Sequence, residues 1–268
     1  MYSTLLNQFL CQNINQVHLR LIYYGRAQVD THWQGKVHNP CYSRLFYIVS
    51  GRCCITVNDT EDVFLEEGNW YLLPAGLSFD FSCDGNMDHL YFHFSLCDID
   101  GIDLFHQCSK ICEIKADARD LGFFSNGLDC RSVCESLRIR QRVYEILLDL
   151  VDRHGVELNT RNLSPCVLEA IHHIRQNLSV SLTTKTIAEH CMISPSTLNK
   201  HFRSELMMSV GEYIDNLVFA EASRLLRESN LLIMQISERL GFSDQFYFSR
   251  RFAEKMGSSP KMYRKTFV

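Results

Sequence analysis

The sequence predicts an α+β multidomain chain, with a strand-rich N-terminal part closing into an antiparallel barrel or sandwich and an all-α C-terminal part. Three observations lead there. Apolar and polar residues alternate from about residue 17 to 95, interrupted by Gly, Pro and Asp turns. After residue 100 the apolar positions recur at helical spacing. The chain closes on a helix, a Gly-containing turn and a second helix, and a similar unit lies about fifty residues upstream. A length of 268 residues is enough for two separate cores.

The strands come first. Val17 to Tyr24 is one; Arg44 to Val49 is a second, closed by Ser50-Gly51; Arg52 to Val57 follows at once and runs into the polar turn Asn58-Asp59-Thr60. Trp70 to Leu73 ends at Pro74-Ala75-Gly76, and His89 to Phe94 is the last clear strand. Residues 131–153 then carry Val133, Leu137, Val143, Leu147, Leu150 and Val151 on one helical face. That face suits either a contact with a second copy of the chain or a brace packed on the strands. The stretch 154–165, HGVELNTRNLSP, lacks periodicity and marks a break between domains. The expected division is 1–155, 156–165 as linker, and 166–268.

From Cys166 onward every segment reads as helix: 166–177, 184–190, 195–206, 210–228, 233–240, 244–256 and a short one near 261–265. Thr183 or Thr184 can cap the second, Ser194-Pro195 opens the third with Pro at the first helical position, and Asp244 stands at an N-terminus. On the long segment Val210 to Arg227 the expected buried side is Tyr213, Ile214, Leu217, Ala220, Leu225 and Leu226.

Two of these helix pairs have the design of a helix-turn-helix. In the upstream unit Leu198 and Phe202 face inward at i, i+4, which leaves Ser196, Thr197, Asn199, Lys200 and Arg203 outside. Downstream, Phe248 and Phe252 point inward and Gln245, Phe246, Tyr247, Ser249 and Arg250 face out or lie at the boundary. Such side chains suit double-stranded DNA. Asn and Gln pair with adenine, Arg and Lys with guanine, and apolar groups touch the thymine methyl. Ser, Thr and helix N-terminal amides hold phosphates. The rod between the units spans roughly 27 Å, near the ~34 Å separation of successive major-groove segments. A duplex that does not match this spacing would be bent.

Residues 166–268 resemble the DNA-binding domain of AraC/XylS-type transcription regulators. The resemblance rests on the Ala188…Ser194…Leu198…Phe202 spacing and on Tyr213-Ile214…Leu217…Ala222…Leu225-Leu226. It rests above all on Gly241-Phe242-Ser243…Phe248-Ser249-Arg250…Phe252…Gly257…Ser259-Pro260…Tyr263-Arg264. It implies that Ser196, Asn199, Lys200, Gln245, Phe246 and Arg250 face bases. The chain departs from the pattern in several places. Met192 stands where the first turn usually has Gly, and His201 replaces an apolar residue. Val218 and Glu221 occupy positions where basic residues are common, and Arg251 and Ala253 flank Phe252 where an apolar residue and Lys are usual. Fewer phosphate contacts and reliance on dimerisation are therefore expected.

The segment Arg44 to Phe94 resembles, more loosely, the cupin-like sensor domain of the same family. The fold expected is an N-terminal cupin-like β-barrel with a helical dimerisation segment, followed by a C-terminal all-α domain with two helix-turn-helix motifs. Gly68, Pro74 and Gly76 fit the second cupin motif, yet Phe79 stands where a metal-binding His would follow, and the first motif's His pair is missing near Arg44. No metal site and no cofactor are expected, since a metal enzyme needs about three such ligands. Candidates to line a ligand pocket are His32, Trp33, Arg44, Tyr91 and His93. Trp33 could stack on a sugar ring and Arg44 could clamp hydroxyls or a carboxylate. His89, Tyr91 and His93 share one strand face. The resemblance implies sugars or related metabolites as effector.

Composition agrees with an ordinary soluble domain pair, at 46% hydrophobic and 22% charged residues. No apolar run approaches the ~18–20 residues that cross a bilayer, and the N-terminus lacks a basic segment followed by an apolar one. The chain is expected to be cytoplasmic. Residues 165–268 hold 13 Lys+Arg against 10 Asp+Glu, net +3; the remainder holds 14 against 21, net −7, and the sum is the chain's −4. The surplus of positive charge sits on the DNA-reading half. The 12 cysteines include no CxxC pair and are expected as reduced, mostly buried thiols. The reading is a non-enzymatic regulator, an activator more than a repressor. Its partners would be double-stranded DNA, a small-molecule effector such as a sugar, RNA polymerase and a second copy of the chain. The alternatives are a cupin-fold metalloenzyme fused to a DNA-binding domain, and a regulator gated by a protein partner or by thiol oxidation.

Overall fold

The computed structural model describes residues 17–38, 40, 42–58, 60–98, 103–105, 108–156, 163–206 and 208–265. The chain divides into two compact units, residues 1–36 with 42–160 and residues 37–41 with 161–268. Strands make up the sheets of the first and helices the second.

In the first unit, β1 (His18–Val29), β3 (Ser43–Ser50), β6 (Asn69–Leu73), β8 (Met87–Cys97) and β9 (Cys112–Lys115) form a five-stranded sheet in the order β1-β8-β3-β6-β9. A four-stranded sheet has the order β2 (Gln34–Val37), β7 (Phe79–Cys83), β4 (Arg52–Val57), β5 (Glu61–Glu66). Strand alternation gives the larger sheet two different faces. Leu45, Leu90, Phe92 and Phe94 point to one side, where they join Trp70, Phe124 and the apolar stripe Ile139, Val143, Ile146, Leu147 and Leu150 in one core. Helices α1 (Asp120–Gly127) and α2 (Val133–His154) cover that side. Ser132 caps α2 by accepting from the Glu135 amide, and Gly155 ends it in the left-handed conformation. Helix α2 is thus an intramolecular brace. Val143, Leu147 and Leu150 of its expected apolar face are buried, whereas Val133 and Leu137 are exposed.

Strands β2, β5, β7 and β9 and helix α1 were not legible in the alternation. Three of those strands, β2, β5 and β9, are sheet edges. Edges carry charge against unwanted pairing, which erases the period-two signal, as in EDVFLE of β5.

The second unit holds α3 (Pro165–Gln176), α4 (Thr184–His190), α5 (Pro195–Leu206), α6 (Val210–Glu228), α7 (Ile233–Arg239), α8 (Gln245–Met256) and α9 (Pro260–Lys265). Thr183, not Thr184, caps α4, in a reciprocal box with Thr186. The Ser209/Glu212 box starts α6. The buried side of α6 is wider than its sequence stripe. Val218, Phe219, Ala222 and Ser223 are buried, while Leu217 and Ala220 are only half-buried. The reason is that α6 is packed from more than one side. Tyr213 meets Phe202 of α5 at 5.7 Å, and Phe219 meets Phe252 of α8 at 6.3 Å. Val218 is a core residue, so a basic side chain there would be expelled from the interior rather than reach a phosphate.

The ten described cysteines are free thiols. Cys53, Cys83 and Cys112 are buried, six are half-buried and Cys134 is exposed, so most are less buried than expected. Cys11 and Cys41 lie outside the described residues. Among the described residues, no helix is long and apolar enough to cross a membrane.

Candidate nucleic-acid interface and inter-sheet cluster

The turns of the two helix pairs match bond for bond. In the first, the amides of Cys191, Met192 and Ile193 donate to the carbonyls of Ile187, Glu189 and Ala188; in the second, Leu240, Gly241 and Phe242 donate to Ile236, Glu238 and Ser237. Gly241 has φ +78, and a Cβ there would lie 2.0 Å from the Ser179 hydroxyl, so a side chain at this position would be strained in backbone and would push that hydroxyl aside. Met192 holds the equivalent left-handed position at φ 55, with its side chain pointing to solvent at 91% exposure. With Met192 in place of the usual glycine, the first turn keeps the same bonding as the second. The second turn is one residue longer, because Ser243 stands between Phe242 and the cap Asp244.

Each turn delivers a capped helix. The Ser194 hydroxyl accepts from the Thr197 amide at 3.1 Å and bonds the Ser196 and Thr197 hydroxyls at 2.9 and 2.8 Å. Asp244 accepts from the amides of Phe246 and Tyr247, both at 2.8 Å. The Tyr247 amide, and then that of Phe246, hold its carboxyl below the usual carboxylate range. Leu198 and Phe202 of α5, and Phe248 and Phe252 of α8, are fully buried and fix which face turns outward.

On the outer face of α5, Ser196, Asn199, Lys200, Arg203 and Ser204 border one open depression. Thr197 is exposed beside it. Asn199 is half-buried, and its carbonyl oxygen accepts from the Val210 amide at 3.2 Å, so part of this side chain is spent on the start of α6. On α8, Phe246, Tyr247 and Arg250 border a second depression with Ser243 and Asp244. Phe246 is 77% exposed, an apolar ring left in solvent at a helix start. Gln245 and Ser249 are half-buried at the margin. Tyr247 is held from both sides. Arg250 stacks on its ring at 5.4 Å, and Arg251 donates to its hydroxyl at 3.1 Å while binding Asp215 of α6 at 2.7 Å. Arg251, a departure from the family pattern, therefore ties α8 to α6. Among the described residues Lys200, Arg203 and Arg250 form no direct ion pair, though Glu212 lies near enough to feel Arg203 and Asp244 to feel Arg250, so three positive charges remain on these faces for phosphates or base edges.

A second cluster lies between the two sheets of the first unit. Register pairs Arg44 with His93, Phe46 with Tyr91 and Ile48 with His89, so these side chains share the face opposite the helices. Phe79 and Phe81 come from the other sheet. The Arg44 guanidinium lies over Tyr42 at 4.7 Å and Phe79 at 5.4 Å. Trp33 meets Phe81 at 4.4 Å and His89 at 5.7 Å. Burial lowers the His89 pKa to about 4, and burial with the nearby charge of Arg44 and with His89 holds His93 well below its ordinary value. Both imidazoles are neutral at pH 7. Trp33, Arg44, Tyr91 and His93 are thus brought together, and His89 joins them. His32 is not. Its amide and ring both bond Asp30, in a turn that leaves the side chain 92% exposed and sends the next residue, Trp33, inward. Strand alternation already placed His89 beside Tyr91 and His93; in the sequence Phe79 stands out only by occupying a cupin metal-ligand position, and nothing local announces Phe81 and Tyr42. Among the described residues, no group of three or more His, Cys, Asp or Glu is placed to hold a metal ion.

Residues 187–266 match a family model described as a helix-turn-helix domain. The chain is 32% identical over 106 residues to the HTH-type transcriptional activator AarP of Providencia stuartii, a match covering 40% of this chain and 78% of that protein. It is 26% identical over 266 residues to the Msm operon regulatory protein of Streptococcus mutans, covering 94% of this chain and 95% of that one. The match spans about a third of the length of other curated relatives, the arabinose operon regulatory protein of Escherichia coli among them. In fold it is similar to ToxT from Vibrio cholerae, with a TM-score of 0.62 at 13% identity, covering 94% of this chain and 97% of that one.

Proposed function

The chain belongs to the AraC/XylS family of DNA-binding transcription regulators, and from that premise we propose that it is a sequence-specific activator that reads DNA through two helix-turn-helix motifs, α4–α5 and α7–α8. The observation that carries this reading is the pair of bond-matched turns, each presenting a capped helix with unpaired basic side chains outward. In this reading Lys200 and Arg250 contact bases or phosphates, Phe246 meets a thymine methyl, and Asp244 and Ser194 fix the helix starts. Residues 166–268 are the DNA-binding domain, 156–165 the linker, and 1–155 a cupin-like sensor and dimerisation domain. A small metabolite held between the sheets shifts the population toward one DNA-binding arrangement. The relation to an arabinose operon regulator brings in sugars as the first class to test. RNA polymerase and a second copy of the chain are the further partners, and no catalytic role is proposed.

The test uses the full chain and a duplex selected by it from a random pool. Each good base contact contributes about 1–3 kcal/mol of discrimination. Lys200→Ala and Arg250→Ala are therefore each expected to weaken binding by roughly tenfold or more, at unchanged melting midpoint. Binding that survives the double substitution rejects the reading. A specific observation also favours thiol control as a second reading. Cys108 and Cys112 lie 3.9 Å apart at sulfur, and the hydrogen bond between the two thiols lowers that of Cys108 below its ordinary range. If oxidation gates DNA binding, peroxide treatment changes affinity in the wild type and not in Cys108→Ser.

A further inference from the structure

Arginine is the costliest side chain to bury unpaired, because its charge cannot be given up by deprotonation. Arg44 is only 9% exposed. Among the described residues no carboxylate forms an ion pair with it, and its Nη1 has no hydrogen-bond partner. Its neighbours are the faces of Tyr42 and Phe79, which tolerate a cation but offer no counter-charge. His89, 3% exposed, stands on the next strand with its Nδ1 also unpartnered. Two buried polar groups from different strands therefore face the same inter-sheet interior without partners. Trp33 and Tyr91, both half-buried, line that interior too, as does His93, whose Nδ1 is buried.

Resting on the reading of this unit as a sensor, we propose that the inter-sheet cluster is an organic-anion site, in which Arg44 receives the carboxylate of a small effector and His89 bonds a hydroxyl or carboxylate oxygen beside it. The rings of Trp33, Phe46 and Phe81 take the flat body of the ligand, either the C–H face of a sugar acid or an aromatic ring. A neutral sugar would bring no counter-charge to the guanidinium, which has no carboxylate partner among the described residues. A carboxylate compensates it, with both charges withdrawn from water, where their attraction is strongest.

Two matched pairs of probes test this on the full chain: glucuronate against glucose, and benzoate against benzyl alcohol. Binding is followed by the melting midpoint and by the fluorescence of Trp33, with Trp33→Phe assigning the signal. The expected result is that one acid raises the midpoint while its neutral counterpart binds at least about tenfold more weakly, and that Arg44→Gln weakens the acid by about 30-fold or more. The pair that responds tells a sugar acid from an aromatic acid. Arg44→Met is expected to melt no lower than the wild type without ligand, since it removes a buried charge that has no carboxylate partner among the described residues. A structural arginine gives the reverse, an unstable variant and a wild type indifferent to probe charge, and overturns the proposal. So does glucose binding as tightly as glucuronate, or no response to either acid up to roughly 10 mM. Tight glucose binding would sink the anion assignment while leaving the sensor reading intact. The DNA-binding reading is judged separately, by the Lys200 and Arg250 variants.

Discussion

Met192 holds a backbone conformation that its own side chain resists. Left-handed φ costs a residue with a Cβ about 1–2 kcal/mol, and glycine's larger unfolded freedom returns about 0.5–1 of that. Met192→Gly is therefore expected to stabilise the helical unit by up to about 1 kcal/mol, seen as a midpoint a few degrees higher with DNA affinity unchanged. An unchanged or lower midpoint would show that the turn is not strained at φ 55. His89 makes a second prediction at this scale. Its folded pKa of about 4 lies below the ordinary value of 6.5, so between those limits the unfolded chain binds the extra proton. Stability present above pH 6.5 is then lost toward pH 4, by on the order of 3 kcal/mol in full. Asp103, pushed up to about 7 by burial, works in the opposite sense, with stability lost as pH rises through 7. The difference between proteins isolates the histidine. His89→Phe should lose less stability than wild type between pH 7 and 4.5 in urea titrations, and parallel curves would contradict the buried neutral imidazole.

At the scale of elements, one carboxylate joins a helix start to a strand and to a second helix. Asp120, at the first turn of α1, accepts from the Trp70 indole at 2.8 Å, from the Arg142 guanidinium of α2 at 2.8 Å and from the Asp117 amide at 3.2 Å. Removing one partner of a buried pair costs about 3–5 kcal/mol, because the other polar groups stay behind unpaired. Asp120→Ala is expected to destabilise the first unit by roughly 3 kcal/mol in urea unfolding; a loss below about 1 kcal/mol would mean water replaces the carboxylate at little cost. None of this was legible along the chain. The helix of Asp120 is short and amphipathic only weakly, and its anchor is a tryptophan fifty positions away in sequence.

For the whole molecule, the proposed regulator works as a pair of copies. Helix α2 spends Val143, Ile146, Leu147 and Leu150 on its own sheet and leaves Val133, Leu137 and Leu148 exposed. If these residues form the dimer contact of the proposed regulator, Leu137→Glu with Leu148→Glu yields a monomer in sedimentation velocity. DNA affinity should then fall by roughly 100-fold, as linked binding of two sites is lost. A variant that still sediments as a dimer would move the contact elsewhere.

The sequence by itself determined the strand-rich first part and helical second part, nearly all the helix boundaries of the latter, and the inward Leu198, Phe202, Phe248 and Phe252 of α5 and α8. Those features depend on contacts within a few residues: a cap at Ser194 or Asp244, a turn at Gly241, inward phenylalanines four positions apart. Only the tertiary structure decided that Trp33 faces inward while His32 does not, that Val218 is core, and that Arg44 meets Phe79 and Tyr42 rather than a carboxylate. Those outcomes depend on which strands pair, in what register, and which sheet lies opposite. Side chains distant in sequence set them, so no local pattern records them.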